Sequence, residues 1–321
     1  MTKRIVLHIG RHKTGTTALQ KFMFRNSSFL ESHGLYYPKA VYHRKFAHHD
    51  LVHDIRCFEH KYVPEIISAY RAKRQLAPFF DELSDKHVNI LSSEAFQNMS
   101  PFLLAKVFKG FDVSVVVYLR NHFDYLASAY AQKVHATRYA GSMSDFANHF
   151  ELSYVSFLNR WVAAFPEKLM VCLYDQKYLV NGCVVSDFLA KPLGLNKDDI
   201  GFSIATGNAN VSLTRKVLEF KRYANEHLLS SISGTLSPYG FFASLAASDH
   251  SSGKVRVTEK LKSQLLVECE SERAFVNEKF IPETPIDSYK SYSTQEPYQL
   301  TSEELNFFVG EFNRWLKINA A

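Results

Sequence analysis

The chain has 321 residues, of which 46% are hydrophobic and 22% charged, and its formal net charge is +6. This composition is typical of a globular protein and excludes a collagen-like or low-complexity chain. The four cysteines are scattered without a C-x-x-C pair, so we expect neither a disulfide framework nor a metal site. No apolar run reaches the roughly 20 residues of a membrane span, and the first ten residues lack a signal-peptide core. We therefore expect a cytoplasmic protein with no integral membrane segment.

Four short apolar runs predict the strands of a parallel sheet. Their hydrophobic residues are continuous rather than alternating, as expected where helices cover both faces of the sheet. Amphipathic helical patterns separate them, which indicates right-handed strand–helix–strand crossovers. The sequence therefore predicts an α/β fold, a P-loop-like open parallel sheet with helices on both faces and helical insertions. The predicted strands are 4–9, 88–92, 113–119 and 169–174.

The rest of the chain is assigned to helices and loops around this sheet. Residues 34–83 are rich in Tyr, His, Arg and Lys, and we interpret them as an insertion over the carboxyl edge of the sheet. Residues 196–321 are predicted to be mostly helical, and residues 1–321 to form one α/β domain. The helices expected in the last part are 210–228, 257–280 and 302–317, with loops at 230–240 and 283–299.

The stretch "LHIGRHKTGTTALQ" follows the first predicted strand. Gly10 and Gly15 have the spacing of a nucleotide-binding P-loop, but Thr16 stands where that motif has its lysine, and Lys13 lies inside the loop. Backbone N–H groups of such a loop and of the helix that follows can bind a phosphate. The alternative is a tight strand–helix turn with a surface lysine. The predicted phosphate-binding residues are Arg11, His12, Lys13, Thr14, Gly15, Thr16 and Thr17.

A second polar motif, "VVVYLRNHFDYLASAY", follows the third predicted strand. Arg120 is the first residue beyond the strand, and Ser128 lies eight residues further, in the next predicted helix. An arginine can bind a phosphate bidentately, and a serine hydroxyl can add a donor. Alternatively, Arg120 pairs with an acid such as Asp124 and Ser128 only packs. Because ligands of open α/β sheets bind beyond the carboxyl ends of the strands, we expect both motifs to form one site.

Together these motifs resemble those of sulfotransferases that use 3'-phosphoadenosine 5'-phosphosulfate (PAPS). "KTGTT" is similar to the family's 5'-phosphosulfate loop and "YLRNHFDYLASAY" to its 3'-phosphate motif, with His122 where a proline is common. The resemblance continues through 90–96, 157–167 and 187–195, as in bacterial members that sulfate carbohydrates. It implies PAPS as co-substrate, its 3'-phosphate held by Arg120 and Ser128, and a carbohydrate or glycolipid acceptor of polysaccharide or lipopolysaccharide type.

The place of Lys13 fits sulfuryl transfer. In PAPS the reacting bond lies next to the single 5'-phosphate, so a lysine within the loop can approach the bridging oxygen, where negative charge accumulates. Such a reaction needs no metal. A P-loop kinase is disfavoured because Thr16 replaces its lysine and Arg120 stands where a magnesium-binding acid is expected. A non-catalytic nucleotide-binding protein remains open, whereas the evenly spread charge does not indicate nucleic-acid binding.

Two clusters can supply the base that accepts the acceptor's proton. Glu94 follows the strand 88–92, and His48 and His49 lie in the insertion. The alternatives are that Glu94 only stabilises a helix N-terminus and that the histidines are core or solvated. We favour Glu94, because the end of a strand is held rigidly by the sheet.

The basic, aromatic segment "YYPKAVYHRKF" (36–46) in the insertion is a candidate acceptor surface. Aromatic faces stack on sugar rings, and Arg44 and Lys45 would suit a glycan that is already acidic. Alternatively, the segment is a solvated face with two or three tyrosines in the core.

Overall fold

A computed structural model gives the fold of the chain. It describes residues 2–11, 13–39, 46–59, 63–195, 212–229, 236–283, 285–286 and 292–319. The chain divides into two compact units. The first unit comprises Met1–Arg120, Ser153–Ala209 and Glu272–Ile286, and the second comprises Asn121–Leu152, Asn210–Ser271 and Asp287–Ala321. Within the described ranges, none of the helices combines the length and the apolar character required to span a lipid bilayer.

The first unit is built on a five-stranded sheet in which every pairing is parallel. The strands are β1 (Arg4–His8), β2 (Leu35–Tyr36), β3 (Val88–Ser92), β4 (Asp112–Leu119) and β5 (Leu169–Leu173). Their order is β2-β3-β1-β4-β5, so β1 is central. The four predicted strands are confirmed to within one residue at each end. β2 was not predicted, because two residues leave no periodic pattern.

Helices surround this sheet and form most of the second unit. In chain order they are α1 (Thr16–Arg25), α2 (Ser27–Ser32), α3 (His49–Arg56), α4 (Glu65–Gln75), α5 (Ala77–Glu82), α6 (Pro101–Val107), α7 (His122–Ala136), α8 (Met143–Ala147), α9 (Tyr154–Ala164), α10 (Val184–Ala190), α11 (Arg215–His227), α12 (Tyr239–Ser248), α13 (Glu259–Glu268), α14 (Glu270–Lys279) and α15 (Ser302–Asn319). Short 3₁₀ helices occupy Glu94–Asn98 and Val180–Gly182.

The sheet is buried on both faces. Val6 and Tyr118 lie on one face, where they pack in a cluster with Leu19 of α1 and residues of α10. Leu7 and Val117 point to the opposite face and are completely buried as well. Successive side chains of a strand alternate between faces, so burial of both sets explains why the strands appear as continuous apolar runs in the sequence.

The second unit has a core of aromatic side chains contributed by its helices. Phe220 of α11 stacks on Phe308 of α15 with 4.9 Å between ring centroids, and Phe242 of α12 lies 5.6 Å from Phe220. The predicted loop 230–240 was wrong at its end, because α12 begins at Tyr239. Its sequence "YGFFASLAAS" is apolar on almost every side and so lacks the polar face that marks an amphipathic helix.

Candidate functional site

The loop between β1 and α1 has an unusual backbone. Gly10, Lys13 and Gly15 have φ angles of 48°, 67° and 77°, in the left-handed region that glycine tolerates best. Gly15 is the N-cap of α1, and a Cβ there would lie only 2.8 Å from Cε2 of Tyr174 and 2.9 Å from Cγ1 of Val184. The loop therefore needs glycine at position 15. Lys13 adopts a left-handed φ although it is not a glycine.

This curled loop presents hydrogen-bond donors. Within the described part of the chain, no carbonyl accepts a hydrogen bond from the backbone N–H of Lys13, Thr14 or Gly15. The buried Oγ1 of Thr16 has no partner there either. The Thr14 hydroxyl donates instead to the carbonyl of Arg11 at 2.7 Å and tightens the loop. Free donors at the positive end of a helix dipole suit an anion such as phosphate.

Arg120 and Lys13 come together at this loop. An Nη1 of Arg120 donates to the Lys13 carbonyl at 3.1 Å, and the guanidinium lies 5.4 Å from the centroid of the Tyr174 ring. The Tyr154 hydroxyl donates to the Arg120 carbonyl at 2.9 Å and fixes the end of β4. The two predicted motifs thus supply a lysine and an arginine to the same place.

The pKa of Lys13 is lowered from its ordinary value, first by partial burial and second by the positive charge of Arg120. Both effects arise because cations are gathered where little water reaches. An anion bound between Lys13 and Arg120 would offset both and favour the charged ammonium. The electrostatics of the loop therefore suit an anionic ligand.

The other predicted phosphate-binding residues have different surroundings. The guanidinium of Arg11 lies 4.5 Å from the ring centroid of Phe157 in α9 and is half-buried. Thr17 is half-buried in the first turn of α1, and His12 lies outside the described residues. Ser128 is half-buried in the second turn of α7, which belongs to the second unit.

Glu94 lies beside the loop, at the start of the 3₁₀ helix that follows β3. Its Oε2 accepts a hydrogen bond from Nε2 of Gln20 at 3.1 Å, and its Oε1 is 3.6 Å from Nε2 of His49. A Cβ on Gly10 would lie 3.2 Å from the Glu94 Cα, so the loop and this acid are in close contact. The carboxylate is partly exposed, with 27% of the side chain accessible.

The two candidate histidines of the insertion differ sharply. His48 is completely buried, its Nδ1 accepts from the Ser92 N–H at 3.1 Å, and its Nε2 donates to the Pro38 carbonyl at 3.0 Å. Burial lowers its pKa to about 4. With both ring nitrogens bound to backbone groups, His48 is the less suitable of the two candidate histidines to accept a proton from a substrate. His49 is half-buried, and its Nδ1 lies 2.6 Å from the Ser93 hydroxyl.

Two buried polar residues beneath the site were not predicted from the sequence. His8 lies at the end of β1 with Nδ1 2.8 Å from the Ser92 hydroxyl, and burial lowers its pKa to about 4 although the charge of Glu94 opposes this. Gln20, which binds Glu94, lies on the buried face of α1 next to Leu19. A histidine inside the apolar run 4–9 and a glutamine on an apolar helix face were the signals that could have indicated them.

The segment 36–46 is only partly described. Tyr37 is buried, and its hydroxyl donates to the Phe46 carbonyl at 3.0 Å, so its ring belongs to the core and is not free to stack on a sugar. The Tyr36 hydroxyl donates to Glu82 at 3.2 Å. Arg44 and Lys45 lie outside the described residues. In the described part of the segment, Tyr37 is thus a core residue and Tyr36 is half-buried.

Comparison with known proteins gives distant structural similarity alone. No protein-family model and no curated protein matches the chain. A sulfotransferase from Alicyclobacillus acidocaldarius is 19% identical with a TM-score of 0.42, over 75% of this chain and 100% of that one. The sulfotransferase domain of the Synechococcus PCC 7002 olefin synthase is 11% identical with a TM-score of 0.32, over 78% and 98%. Similarity at this level does not assign a family, so the function rests on the site's own residues.

The two buried histidines predict a pH dependence of stability. The pKa of both His8 and His48 is lowered from 6.5 to about 4 in the folded chain, so the unfolded chain binds more protons between these values. The stabilisation is complete above pH 6.5 and is lost as the pH falls toward 4. We expect the free energy of unfolding to drop by about 1 kcal/mol per pH unit for each histidine between pH 6 and 5.

Urea unfolding of wild type, His48→Gln and His53→Gln at pH 7, 6 and 5 measures this dependence. His53 is a matched control because 77% of its side chain is exposed. His48→Gln should reduce the slope and His53→Gln should leave it unchanged. An equal slope in all three proteins would contradict the assignment of this pH dependence to His48.

Proposed function

We propose that the protein is a PAPS-dependent sulfotransferase that transfers a sulfuryl group to a hydroxyl of a polysaccharide- or lipopolysaccharide-type carbohydrate. The observation that carries this proposal is the meeting of Lys13 and Arg120, through the 3.1 Å bond from the guanidinium to the Lys13 carbonyl. A lysine inside the loop is adjacent to the phosphate that the loop would hold, which suits a donor whose reacting bond begins at that phosphate.

The residues at the site fit the two anionic groups of PAPS. The N–H groups of the loop and the buried Thr16 hydroxyl have no partner within the described residues and suit the 5'-phosphate. From the sequence motif alone we assign the 3'-phosphate to Arg120 and Ser128. PAPS supplies the sulfuryl group. Arg11, held against Phe157, adds positive charge within the loop.

In this proposal Lys13 acts chiefly on the transition state. The acceptor oxygen forms a bond to sulfur while the bond from sulfur to the bridging oxygen of the 5'-phosphate breaks, and the electron pair stays on that oxygen. An ammonium group preorganised beside it stabilises the developing charge more than it stabilises the ground state. The strained backbone at Lys13 is consistent with such a fixed role.

Glu94 is assigned as the group that accepts the proton of the acceptor hydroxyl. Its carboxylate is partly exposed, lies at the end of β3 and is oriented by Gln20. His49 lies 3.6 Å from the same carboxylate and is the second candidate. His48 is not assigned a chemical role, because backbone groups bind both of its ring nitrogens.

The first prediction concerns recognition of the 3'-phosphate. Arg120→Ala should weaken binding of 3'-phosphoadenosine 5'-phosphate (PAP) by about 1.5–3 kcal/mol, because a charge-assisted contact is lost. Isothermal titration with PAP and with adenosine 5'-phosphate measures the difference. Arg160→Ala, which removes an exposed arginine of α9, is the control. If the variant lost the same free energy with both nucleotides, Arg120 would not read the 3'-phosphate.

The second prediction concerns Lys13. Lys13→Ala should lower kcat for sulfuryl transfer from PAPS by on the order of a hundredfold, as does the loss of one preorganised donor to a developing oxyanion. Lys168→Ala is the control, because Lys168 pairs with Asp112 at the amino end of β4. A variant with normal kcat and a raised KM would indicate that Lys13 only binds. If the wild type bound PAP but transferred the sulfuryl group to no acceptor, a non-catalytic nucleotide-binding protein would be favoured.

The third prediction separates the two candidate bases. Glu94→Gln should abolish most of the activity and leave PAP binding nearly unchanged, because the amide keeps the shape but cannot accept the proton. His49→Ala should retain measurable activity. A pH–rate profile of both variants and wild type tests this assignment. The role would pass to His49 if Glu94→Gln were fully active and His49→Ala inactive. In that case the rate of the wild type should rise with pH through an apparent pKa near 6–7.

A further inference from the structure

We propose that the second unit holds a binding site for an acidic saccharide, in a cleft distinct from the residues assigned to sulfuryl transfer. The cleft contains about 440 Å³ of empty space, including the part open to solvent. Its polar lining includes Arg215, Glu219, Arg222, Arg256, Gln295 and Tyr298.

Two of the three arginines are available to an anion. Arg222 forms an ion pair with Glu219 at 2.6 Å and is thereby neutralised. Arg215 donates to the Glu296 carbonyl at 2.5 Å, and Arg256 donates through one Nη1 to a backbone carbonyl at 3.2 Å. Within the described ranges neither guanidinium forms a salt bridge with a carboxylate.

Carbonyl partners orient a guanidinium without cancelling its charge. The only other carboxylate in the described lining, that of Glu296, belongs to an exposed residue. Arg215 and Arg256 therefore form a preoriented pair of cations on one cleft. A planar guanidinium with several donors suits a carboxylate or a sulfate ester.

The remaining polar groups indicate a ligand with hydroxyls. Oε1 of Gln295 is shielded from solvent and has no donor within the described part of the chain, so a rotation of the amide toward the cleft would let a ligand hydroxyl satisfy it. Tyr298 is half-buried, and its hydroxyl is held by Glu304 at 2.8 Å, which fixes the ring. A fixed aromatic ring next to cations and a free acceptor suits a sugar that carries an anionic group.

A nucleic acid fits these observations less well. Phosphate backbones are bound by extended basic surfaces. The described lining of this cleft has instead two guanidiniums without a salt bridge, of which Arg215 also interacts with the charge of Glu219, and the exposed Glu296. A uronic acid and a sulfated sugar both carry an anionic group next to hydroxyls, and this is the combination that the cleft would bind. The proposal concerns binding and does not depend on sulfuryl transfer.

Titration calorimetry of the full chain tests it with three oligosaccharides of equal length. One is an oligogalacturonate, one a sulfated galactan fragment and one a neutral galactan fragment. We expect the wild type to bind at least one anionic probe and to bind the neutral one at least about tenfold more weakly, with affinity falling as salt increases. The anionic probe that binds identifies the group, carboxylate or sulfate, that the site prefers.

The variant Arg215→Gln/Arg256→Gln should weaken that binding by at least about tenfold, since two charge-assisted contacts are lost. Arg314→Gln is the control, because Arg314 is an exposed arginine of α15. If the double variant unfolds at a lower temperature than the wild type, a chemical modification experiment on the wild type takes its place. In that experiment the bound anionic probe should protect Arg215 and Arg256 from modification by phenylglyoxal.

Equal binding of neutral and anionic probes, no binding of either anionic probe, or equal losses in the double variant and in Arg314→Gln would overturn the proposal. PAP affinity of the same proteins, measured in parallel, separates this outcome from a failure of the proposed sulfotransferase function. Normal PAP binding with no saccharide binding rejects the cleft alone.

Discussion

The site depends on the position of β1 between β3 and β4 in a parallel sheet. His8 at the end of β1 is in register with Ser92 of β3 and Val116 of β4. After β1 the chain forms β2 and β3 on one side of β1, and it then crosses to form β4 and β5 on the other side. In open α/β sheets the place where the strand order reverses is where ligands bind, at the carboxyl edge. The loop after β1, Glu94 after β3 and Arg120 after β4 meet there because the three strands are adjacent and parallel pairing brings their carboxyl ends to the same edge.

The contact between Arg120 and the Lys13 carbonyl couples the two parts of the site. Lys13 has a φ of 67°, and a non-glycine residue in this region costs on the order of 1 kcal/mol or more. The guanidinium helps to hold the carbonyl where that conformation places it. In the proposed function, a ligand that drew Arg120 toward one phosphate would therefore act on the loop assigned to the other. Arg120 supports the loop backbone, and the proposal adds a second role as a ligand-binding cation.

Sequence reasoning found the parts of the fold and site that local pattern determines. Continuous apolar runs located four strands because both faces of the sheet are buried, and the glycine spacing located the loop around Lys13. It missed Gln20 because its partner, Glu94, is 74 residues away. Likewise, it could not separate His48 from His49. One lies at the N-cap of α3 and turns into the core, and the next begins the helix and faces Glu94.

Hydrogen-bond geometry around His49 indicates how the acid and the imidazole divide their roles. The Ser93 hydroxyl oxygen accepts the N–H of Ala95 at 3.2 Å, and it lies 2.6 Å from Nδ1 of His49, to which the hydroxyl can donate its own proton. A neutral His49 with Nδ1 as acceptor carries its proton on Nε2, the atom nearest to Glu94. In that tautomer both nitrogens of the imidazole are occupied, so the ring cannot receive a further proton. The Glu94 carboxylate can still receive one, because Gln20 binds only one of its oxygens. With this tautomer the network supports the proposal that Glu94 is the base and that His49 orients it.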